Sequence, residues 1–474
     1  MPTNLNRRQF LQTAGAGALG AAVKQTRPNI LFINVDQLNA TAISGVGCKH
    51  VATPNIDRLM KQGVSFHNSY CANPVCCPSR SGWFSGRPSS ETGAPGSILM
   101  RPEIPDLGQW LGARGYESFY AGKWHIKGHD VAESFHYLTP GTGMGENGDG
   151  SVSRAAEGFL RSRNASKPFF LTLGFLQPHD ICYWIMRHYR DIGELPCPEI
   201  AGELPPLPPN YHFDRREPRQ ILAGARAGGA AHKFAEHWSE LHWRYYLWSY
   251  YRHAEMVDAE VGRVLDALED SSFAKNTVVI FASDHGEGMA NHRMVIKGYL
   301  YDSAARVPLV ISWPGELPER VRDEKHLASG FDLAPTICDF AGVETMPKSR
   351  GFSLKPLLEG RGAPQRDFIA AEAAGHGLMI RTAEYKHISY PNDSVCQLFD
   401  MKNDPWETRN VAGESKYAKA LAGMEKRKAE WESRLEKYPG APVSNNDQDG
   451  GSDEPQDRKT SRRARKNGGA VVRR

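Results

Sequence analysis

Two short apolar runs, each ending in an aspartate, dominate the pattern of hydrophobic and polar positions. Residues 29–37 read NILFINVDQ, and residues 276–288 read NTVVIFASDHGEG. Nearly continuous apolar runs of this length predict parallel strands that are buried on both faces. Ligands bind at the carboxyl ends of such strands, so Asp36 and Asp284 are expected to converge there. An acid at a strand end is equally often a helix cap, and that alternative stays open.

Strand and helix patterns alternate along most of the chain. Helical periodicity occurs in NIDRLMKQGV, LGQWLGARG and MVDAEVGRVLDALE, and further strands are predicted at KPFFLTLGFL and RVPLVISWP. This alternation predicts an α/β fold, a three-layer α/β/α domain over residues 28–362 with a mostly parallel central sheet. Residues 363–440 hold short strand patterns and one long helix, which predicts a small C-terminal α+β domain. The proline-rich segment 185–235 is predicted to be a long loop that shapes substrate access.

Charge is unevenly distributed, although composition is that of an ordinary globular protein, with 40% hydrophobic and 24% charged residues. The formal net charge of +4 comes from the two ends, because residues 1–27 and 458–474 contain basic side chains and no acidic ones. A basic tail can indicate nucleic-acid binding. Its glycines and the polar stretch before it instead favour a disordered basic tail, residues 441–474, with no assigned role. We therefore expect no nucleic-acid partner.

The N-terminus resembles a twin-arginine export signal. Arg7 and Arg8 precede Phe10, Leu11 and a weakly apolar Ala/Gly stretch. The alternative is a tag or a frayed amphipathic start. The signal, residues 1–27, implies a bacterial protein that is exported already folded, with a periplasmic or extracellular location. No other stretch reaches membrane-spanning length, so no membrane anchoring is expected after signal cleavage.

Two further segments have an unusual composition, one rich in glycine and one rich in cysteine. GTGMGENGDG, residues 141–150, lacks the flanking strand and helix of a nucleotide site, and we interpret it as a mobile loop. The eight cysteines do not form the CxxC pairs of a zinc ribbon. Three of them lie in CANPVCCPSRSGWFSGR, residues 71–87. From the residues alone, this segment could supply a disulfide, a metal site or a thiol nucleophile.

With both aspartates and this segment in view, the chain resembles the type I sulfatases of the alkaline phosphatase superfamily. The family signature, Cys-x-Pro-Ser-Arg followed by a Gly-Arg pair, is matched by Cys76, Pro78, Ser79, Arg80, Gly86 and Arg87. Six further blocks stand in family order: TPNIDRLMKQGVSF, GYESFYAGKWH, QPHD, SDHGEG, RVPLVISWPG and LFDMKNDPWETRN. The resemblance covers most of residues 28–415.

The resemblance implies an unusual nucleophile. In this family the first cysteine of the signature, here Cys76, is oxidised to a formylglycine by a formylglycine-generating enzyme before the chain folds. Cys77 occupies a variable position. The hydrated aldehyde has two hydroxyls, of which one attacks sulfur, and loss of a proton from the other expels sulfate and restores the aldehyde.

The resemblance also implies a metal ion and a set of charged side chains. The metal ligands would be Asp36, Gln37, Asp284 and His285, together with a substrate oxygen or the formylglycine at Cys76. Oxygen-rich ligation suits Ca²⁺ or Mg²⁺, although Gln37 replaces the commoner second acid and leaves Mn²⁺ possible. The residues implied around the transferred group are Arg80, Lys123, His125, His179 and Lys297.

Three functions remain open at this point. The first is a sulfatase, an arylsulfatase-like sulfuric ester hydrolase acting on a sulfated carbohydrate or aryl ester. The second is a phosphonate monoester or phosphodiester hydrolase on the same scaffold, since an Asp-Gln pair also occurs in such relatives. The third is an unprocessed glycan- or anion-binding protein that keeps Cys76 as a thiol.

Overall fold

The structure is a computed structural model that describes residues 27–436, apart from 94–99, 142, 165, 215, 225–234, 236 and 363–365. The predicted export signal lies outside the described residues except for Arg27, and the predicted basic tail lies outside them entirely. Within the part that the structure describes, no helix combines the length and apolarity needed to cross a membrane.

Strands and helices alternate as the sequence predicts. The strands are β1 (Asn29–Asp36), β2 (Gly63–Tyr70), β3 (Glu117–Gly122), β4 (His136–Thr139), β5 (Phe169–Pro178), β6 (Thr277–Ser283), β7 (Leu309–Ser312), β8 (Val321–Ser329), β9 (Ile369–Ala373), β10 (Gly377–Arg381), β11 (Tyr385–Ser389) and β12 (Gln397–Asp400). The helices are α1 (Pro54–Lys61), α2 (Cys76–Ser85), α3 (Ser89–Thr92), α4 (Leu107–Gly112), α5 (Val131–Ser134), α6 (Gly145–Ser162), α7 (Ile181–Arg187), α8 (Arg219–Ile221), α9 (Glu240–Glu269), α10 (Asp302–Ala305), α11 (Leu333–Phe340), α12 (Lys355–Leu358) and α13 (Ala418–Arg434).

Eight strands form one central sheet in the order β4-β3-β5-β1-β6-β7-β2-β8. Its neighbouring strands run parallel except where β7 pairs antiparallel with β6 and β2. Alternate residues of β1 enter different cores: Ile30 and Phe32 pack on the α2 and α11 face, and Leu31 and Ile33 pack on the α6 and α9 face. Burial on both faces explains the continuous apolar run. The predicted three-layer α/β fold with a mostly parallel sheet is confirmed.

The glycine-rich stretch is helical from Gly145 onward, where α6 begins. Asp149 fixes this helix to the end of β5, where its carboxylate accepts the backbone N–H groups of Leu176 at 2.7 Å and Gln177 at 2.8 Å. A Cβ on Gly145 would lie 2.8 Å from the backbone nitrogen of Gln177, so the close approach needs glycine. The interpretation as a mobile loop is therefore wrong from Gly145 onward.

A second, smaller sheet follows in the order β12-β11-β10-β9, with every pair antiparallel. Helix α13 covers one face of this sheet through Met424 and Trp431, which join a core with Ile380 and Leu398. This arrangement agrees with the predicted small C-terminal α+β domain. The long segment predicted as a loop at 185–235 contains, where the structure describes it, only short helical turns after α7 ends.

Candidate active site

Asp36 and Asp284 lie side by side at one edge of the central sheet. Strands β1 and β6 are parallel neighbours with Val35 opposite Ser283, so the residue after each position emerges at the same edge. The backbone N–H of Asp284 donates to the carbonyl of Val35 at 3.2 Å. The convergence predicted from the two apolar runs is thus present in the structure.

Arg80 bridges the carboxylates of Asp36 and Asp284. It extends from α2, is completely buried, and its Nε lies 2.8 Å from Asp284 Oδ2 while Nη2 lies 3.5 Å from Asp36 Oδ2. Its Nη1 donates to Asn34 Oδ1 at 2.9 Å and to the carbonyl of Lys123 at 2.8 Å. Burial works against the charged guanidinium, but Asp284 and Asp36 outweigh it and raise the pKa of Arg80. The N–H groups of Arg80 are therefore used to fix the two carboxylates, Asn34 and the loop at Lys123 relative to one another.

Asp36, Asp284 and His285 form a cluster suited to a cation. One ligand atom of each lies within 4.8 Å of the others, and His285 Nε2 is 3.6 Å from both Asp36 Oδ1 and Asp284 Oδ1. Nδ1 of His285 bonds the carbonyl of Gly286 at 2.9 Å, an arrangement that leaves Nε2 available as a ligand. Asp36 Oδ1 and His285 Nε2 are both buried and find no hydrogen-bond partner among the described residues. These orphaned atoms fit a bound divalent ion.

Gln37 lies beside this cluster in a left-handed backbone conformation, with φ of 72°. Its backbone N–H donates to Asp284 Oδ1 at 3.1 Å. Its side-chain oxygen accepts the ammonium of Lys297 at 2.5 Å, and its Nε2 donates to Glu287. The same oxygen lies 3.5 Å from Cys182 Sγ, so a metal ion would compete with Lys297 and Cys182 for its two lone pairs. Ligation by Gln37 stays a prediction.

Glu287 is a site residue that the sequence reasoning missed. It is completely buried and accepts the backbone N–H of Ile296 at 2.5 Å, together with the hydroxyl of Tyr246 and the amide of Gln37. Burial raises its pKa although these donors oppose the change. Its one signal in the sequence is its place in the block SDHGEG, three residues after Asp284, which does not reveal these contacts.

Cys76 occupies the first position of α2, at the positive end of the helix. The side chain is buried close to Lys123 and His125. Burial alone would raise the pKa of this thiol, but Lys123 and His125 hold it well below its usual value. For the neighbouring Cys77, burial raises the pKa to about 11. The positive field thus acts on the first cysteine of the pair.

The remaining predicted residues surround the same strand ends. Lys123 is buried with Nζ 2.8 Å from Asp36 Oδ2. Burial raises the pKa of Asp36, yet Lys123 and its other cationic neighbours hold it well below its usual value. Burial and then Lys297 lower the pKa of His179 far below its usual value, so its ring is neutral near pH 7. Nδ1 of His125 and of His179 are buried without a hydrogen-bond partner among the described residues. Both imidazoles are therefore free to meet a ligand.

Comparison with known proteins agrees with this geometry. The family model described as Sulfatase matches residues 28–343, and that described as N-sulphoglucosamine sulphohydrolase, C-terminal, matches residues 290–434. The chain is 30% identical to a Delta 4,5-hexuronate-2-O-sulfatase of Bacteroides thetaiotaomicron, over 86% of this chain and 89% of that protein. It is 28% identical to a choline-sulfatase of Rhizobium meliloti, over 86% and 87%.

Solved structures extend the comparison. A 2-O GAG sulfatase superposes with a TM-score of 0.78 at 28% identity, over 86% of this chain and 92% of that one. A phosphonate monoester hydrolase of Agrobacterium radiobacter superposes with a TM-score of 0.72 at 22% identity, over 86% and 96%, which shows a shared fold. On these matches and this strand-end site, the chain belongs to the sulfatase family of the alkaline phosphatase superfamily and is a sulfuric ester hydrolase.

Proposed function

We propose that the protein releases sulfate from a sulfated saccharide, with Cys76 converted to formylglycine as the nucleophile. The observation that carries this proposal is the placement of Cys76. It begins a buried helix, beside the cations Lys123 and Arg80 and the paired carboxylates of Asp36 and Asp284. Fixed positive groups around one attacking atom stabilise the charge that develops on sulfate oxygens during transfer.

The substrate class is drawn from the relatives. Among them are the Delta 4,5-hexuronate-2-O-sulfatase and an N-acetylglucosamine-6-O-sulfatase of the same bacterium, which is 26% identical over 83% of this chain. Both names specify a sulfated sugar. We extend that class to this chain and expect activity on sulfated glycans, with the aryl ester as a laboratory substrate.

The chain's own side chains would divide the work as follows. Lys123 and Lys297 bind the sulfate oxygens, and His125 takes a proton from the nucleophile at position 76. His179 protonates the leaving alcohol. Because burial and Lys297 keep His179 neutral, it must gain that proton once the negative charge of the bound ester offsets the lysines. Arg80 acts by holding both carboxylates in place.

The metal ion would be held by Asp36, Gln37, Asp284 and His285, with position 76 close by. Three of these four ligands offer oxygen, which suits Ca²⁺, with Mg²⁺ or Mn²⁺ as alternatives. When bound, such an ion supplies Lewis-acid stabilisation of a sulfate oxygen and of the nucleophile. The orphaned buried atoms of Asp36 and His285 support this assignment.

Maturation and location form part of the same proposal. A formylglycine-generating enzyme would act on the unfolded chain, because Cys76 is buried once α2 forms. Conversion would therefore precede the twin-arginine export that residues 7–11 suggest, and the mature protein would work in the periplasm or outside the cell.

Matched alanine substitutions test the nucleophile. We expect Cys76→Ala to abolish turnover of an aryl sulfate and of a sulfated disaccharide, and Cys77→Ala to retain turnover. Mass spectrometry of the peptide containing both cysteines should show CH2SH replaced by CHO at position 76 in protein from its native host. Equal loss in both variants, or an unconverted Cys76 in active protein, would contradict the proposal.

The phosphorus alternative rests on Gln37 and has its own test. Comparing kcat/KM on an aryl sulfate and on the matching aryl phosphonate monoester ranks the two reactions directly. We expect the sulfate to be preferred. A clear preference for the phosphonate would replace the sulfatase assignment by phosphonate monoester hydrolysis.

A further inference from the structure

Three side chains of the kind that bind metals meet on one face of the C-terminal sheet. His387 lies on β11 opposite Leu398 of β12. Cys396 lies immediately before β12, two residues ahead of Leu398, so an extended backbone places it on the same face, diagonal to His387. Glu425 lies on α13 directly after Met424, which packs onto this sheet. One ligand atom from each of the three lies within 4.8 Å of the other two.

The histidine of this cluster has no conventional partner. His387 is completely buried, yet neither of its ring nitrogens has a hydrogen-bond partner among the described residues. Its Nε2 lies 3.1 Å from Glu425 Oε1, but the contact does not have hydrogen-bond geometry. A buried imidazole without hydrogen-bond partners lowers the stability of the fold. A ligand bound between the His387 ring, the carboxylate and the thiol would remove that cost.

Access from solvent distinguishes the cluster from a sealed core site. The side chain of Glu425 is 45% exposed, and Cys396 is half-buried with a free thiol. A cation could therefore reach the buried nitrogen of His387 without opening the sheet.

We propose that His387, Cys396 and Glu425 bind a Zn²⁺ ion that links α13 to strands β11 and β12. Zinc is bound by thiolate, imidazole and carboxylate, usually with four ligands in a tetrahedron. Three protein ligands leave the fourth position for water. The thiolate and imidazole favour zinc over the hard ions that suit the strand-end carboxylates, so the two sites select different metals.

Cobalt titration of the full-length chain tests the site. The parent protein carries Cys76→Ala and Cys182→Ala, because both thiols lie at the strand-end site and could otherwise bind cobalt there. We expect one equivalent of Co²⁺ to produce a thiolate-to-cobalt charge-transfer band that added Zn²⁺ removes. Cys396→Ser should abolish the band, and Glu425→Gln should weaken Co²⁺ binding by about tenfold or more.

Cys197 provides a matched control. It is exposed and its thiol lies 3.0 Å from Glu199, so it is a Cys-Glu pair without an imidazole. Cys197→Ser should keep the band. Absence of the band in the parent, or its persistence in Cys396→Ser, would overturn the proposal. If circular dichroism shows Cys396→Ser to be unfolded, thermal melts decide: Zn²⁺ should raise the Tm of the parent more than that of Glu425→Gln, and equal rises would refute the site.

Discussion

Lys123 can carry a positive charge in a buried position because a carboxylate lies next to its ammonium group. Its ammonium lies 2.8 Å from Asp36 Oδ2, and its backbone carbonyl accepts the guanidinium of Arg80 and the hydroxyl of Tyr120 at 2.6 Å. These bonds to the backbone carbonyl hold the loop in place without the lysine side chain, whose role is to supply positive charge. Replacing that side chain should disturb chemistry more than folding.

Lys123→Ala is expected to lower kcat/KM on an aryl sulfate by roughly 10²–10³, the usual effect of losing one preorganised donor. Lys127 is an exposed lysine on the same loop, so Lys127→Ala is the control and should keep full activity. Steady-state kinetics on both variants, with thermal melts to verify folding, measures the difference. Similar activity in the two variants would remove Lys123 from the site.

Gln37 and Glu287 form a buried hydrogen-bonded pair, so a substitution that removes the donor or the acceptor alone should destabilise the fold. In Gln37→Glu the amide that donates to Glu287 becomes a carboxylate facing another carboxylate. We expect a loss of about 3 kcal/mol in the free energy of unfolding, because one charge is left without compensation. Mutual repulsion raises the pKa values of such a pair, so stability should return as the pH falls and one member takes up a proton.

The double variant Gln37→Glu with Glu287→Gln restores a donor and an acceptor in the opposite order. The new glutamine oxygen can still accept from Tyr246 and Ile296, which now bond Glu287. Urea unfolding of the two single variants and the double variant gives the coupling directly. Additive losses in the double variant would show that the two side chains act independently.

At the scale of elements, the pattern of apolar positions predicts strands well and their direction poorly. The run containing β7 is apolar like that of the neighbouring β6, yet β7 runs antiparallel to β6, since burial on both faces gives the same pattern in either direction. The start of α6 was missed because glycine disfavours helix by about 1 kcal/mol per residue. What stabilises it is tertiary: Asp149 binds the end of β5, which lies far away in sequence.

In the candidate site, too, some residues could be predicted from the local sequence and others depend on contacts made only in the folded chain. Asp36 and Asp284 could be placed from the sequence because a strand end fixes where its next residue emerges. Cys76 and Lys123 could be placed through the family motifs. Glu287 could not, since its importance depends on contacts with Gln37 and Tyr246 that only the folded chain brings together.

Asp149 gives the junction between α6 and β5 a dependence on pH. Burial raises the pKa of Asp149 from 3.8 to about 7. A folded-state pKa above the unfolded value means that the group stabilises the fold at low pH. This contribution is lost as the pH rises through about 7.

The difference in unfolding free energy between the wild type and Asp149→Asn should therefore shift against the wild type from about pH 4 to pH 7, by at most about 1.4 kcal/mol per pH unit. Urea unfolding at intervals of pH measures both proteins. Using the difference cancels other groups that titrate in this range. A difference independent of pH would show that Asp149 keeps an ordinary pKa in the folded protein.

At the scale of the molecule, the C-terminal domain is held to the catalytic domain by a buried charge cluster. Lys386 of β11 is completely buried, with Nζ 2.8 Å from Asp302 on α10 and 2.6 Å from Glu407. Glu407 also accepts the backbone N–H of Asp302 at 2.7 Å. Lys297 of the candidate active site lies five residues before Asp302, so one segment connects this cluster to the site.

Removing the lysine alone should be far more damaging than removing the whole cluster. Lys386→Met leaves the buried Glu407 without its cation and leaves Asp302 with Arg306, 3.3 Å away, and we expect a loss of about 3 kcal/mol in the free energy of unfolding. Adding Asp302→Asn and Glu407→Gln neutralises both partners and should recover most of that loss. The exposed Lys416, 3.9 Å from the half-buried Glu414, supplies the control, since Lys416→Met should cost less than about 1 kcal/mol. Urea unfolding ranks the variants, and a loss in Lys386→Met no larger than in Lys416→Met would mean that the cluster does not hold the two domains together.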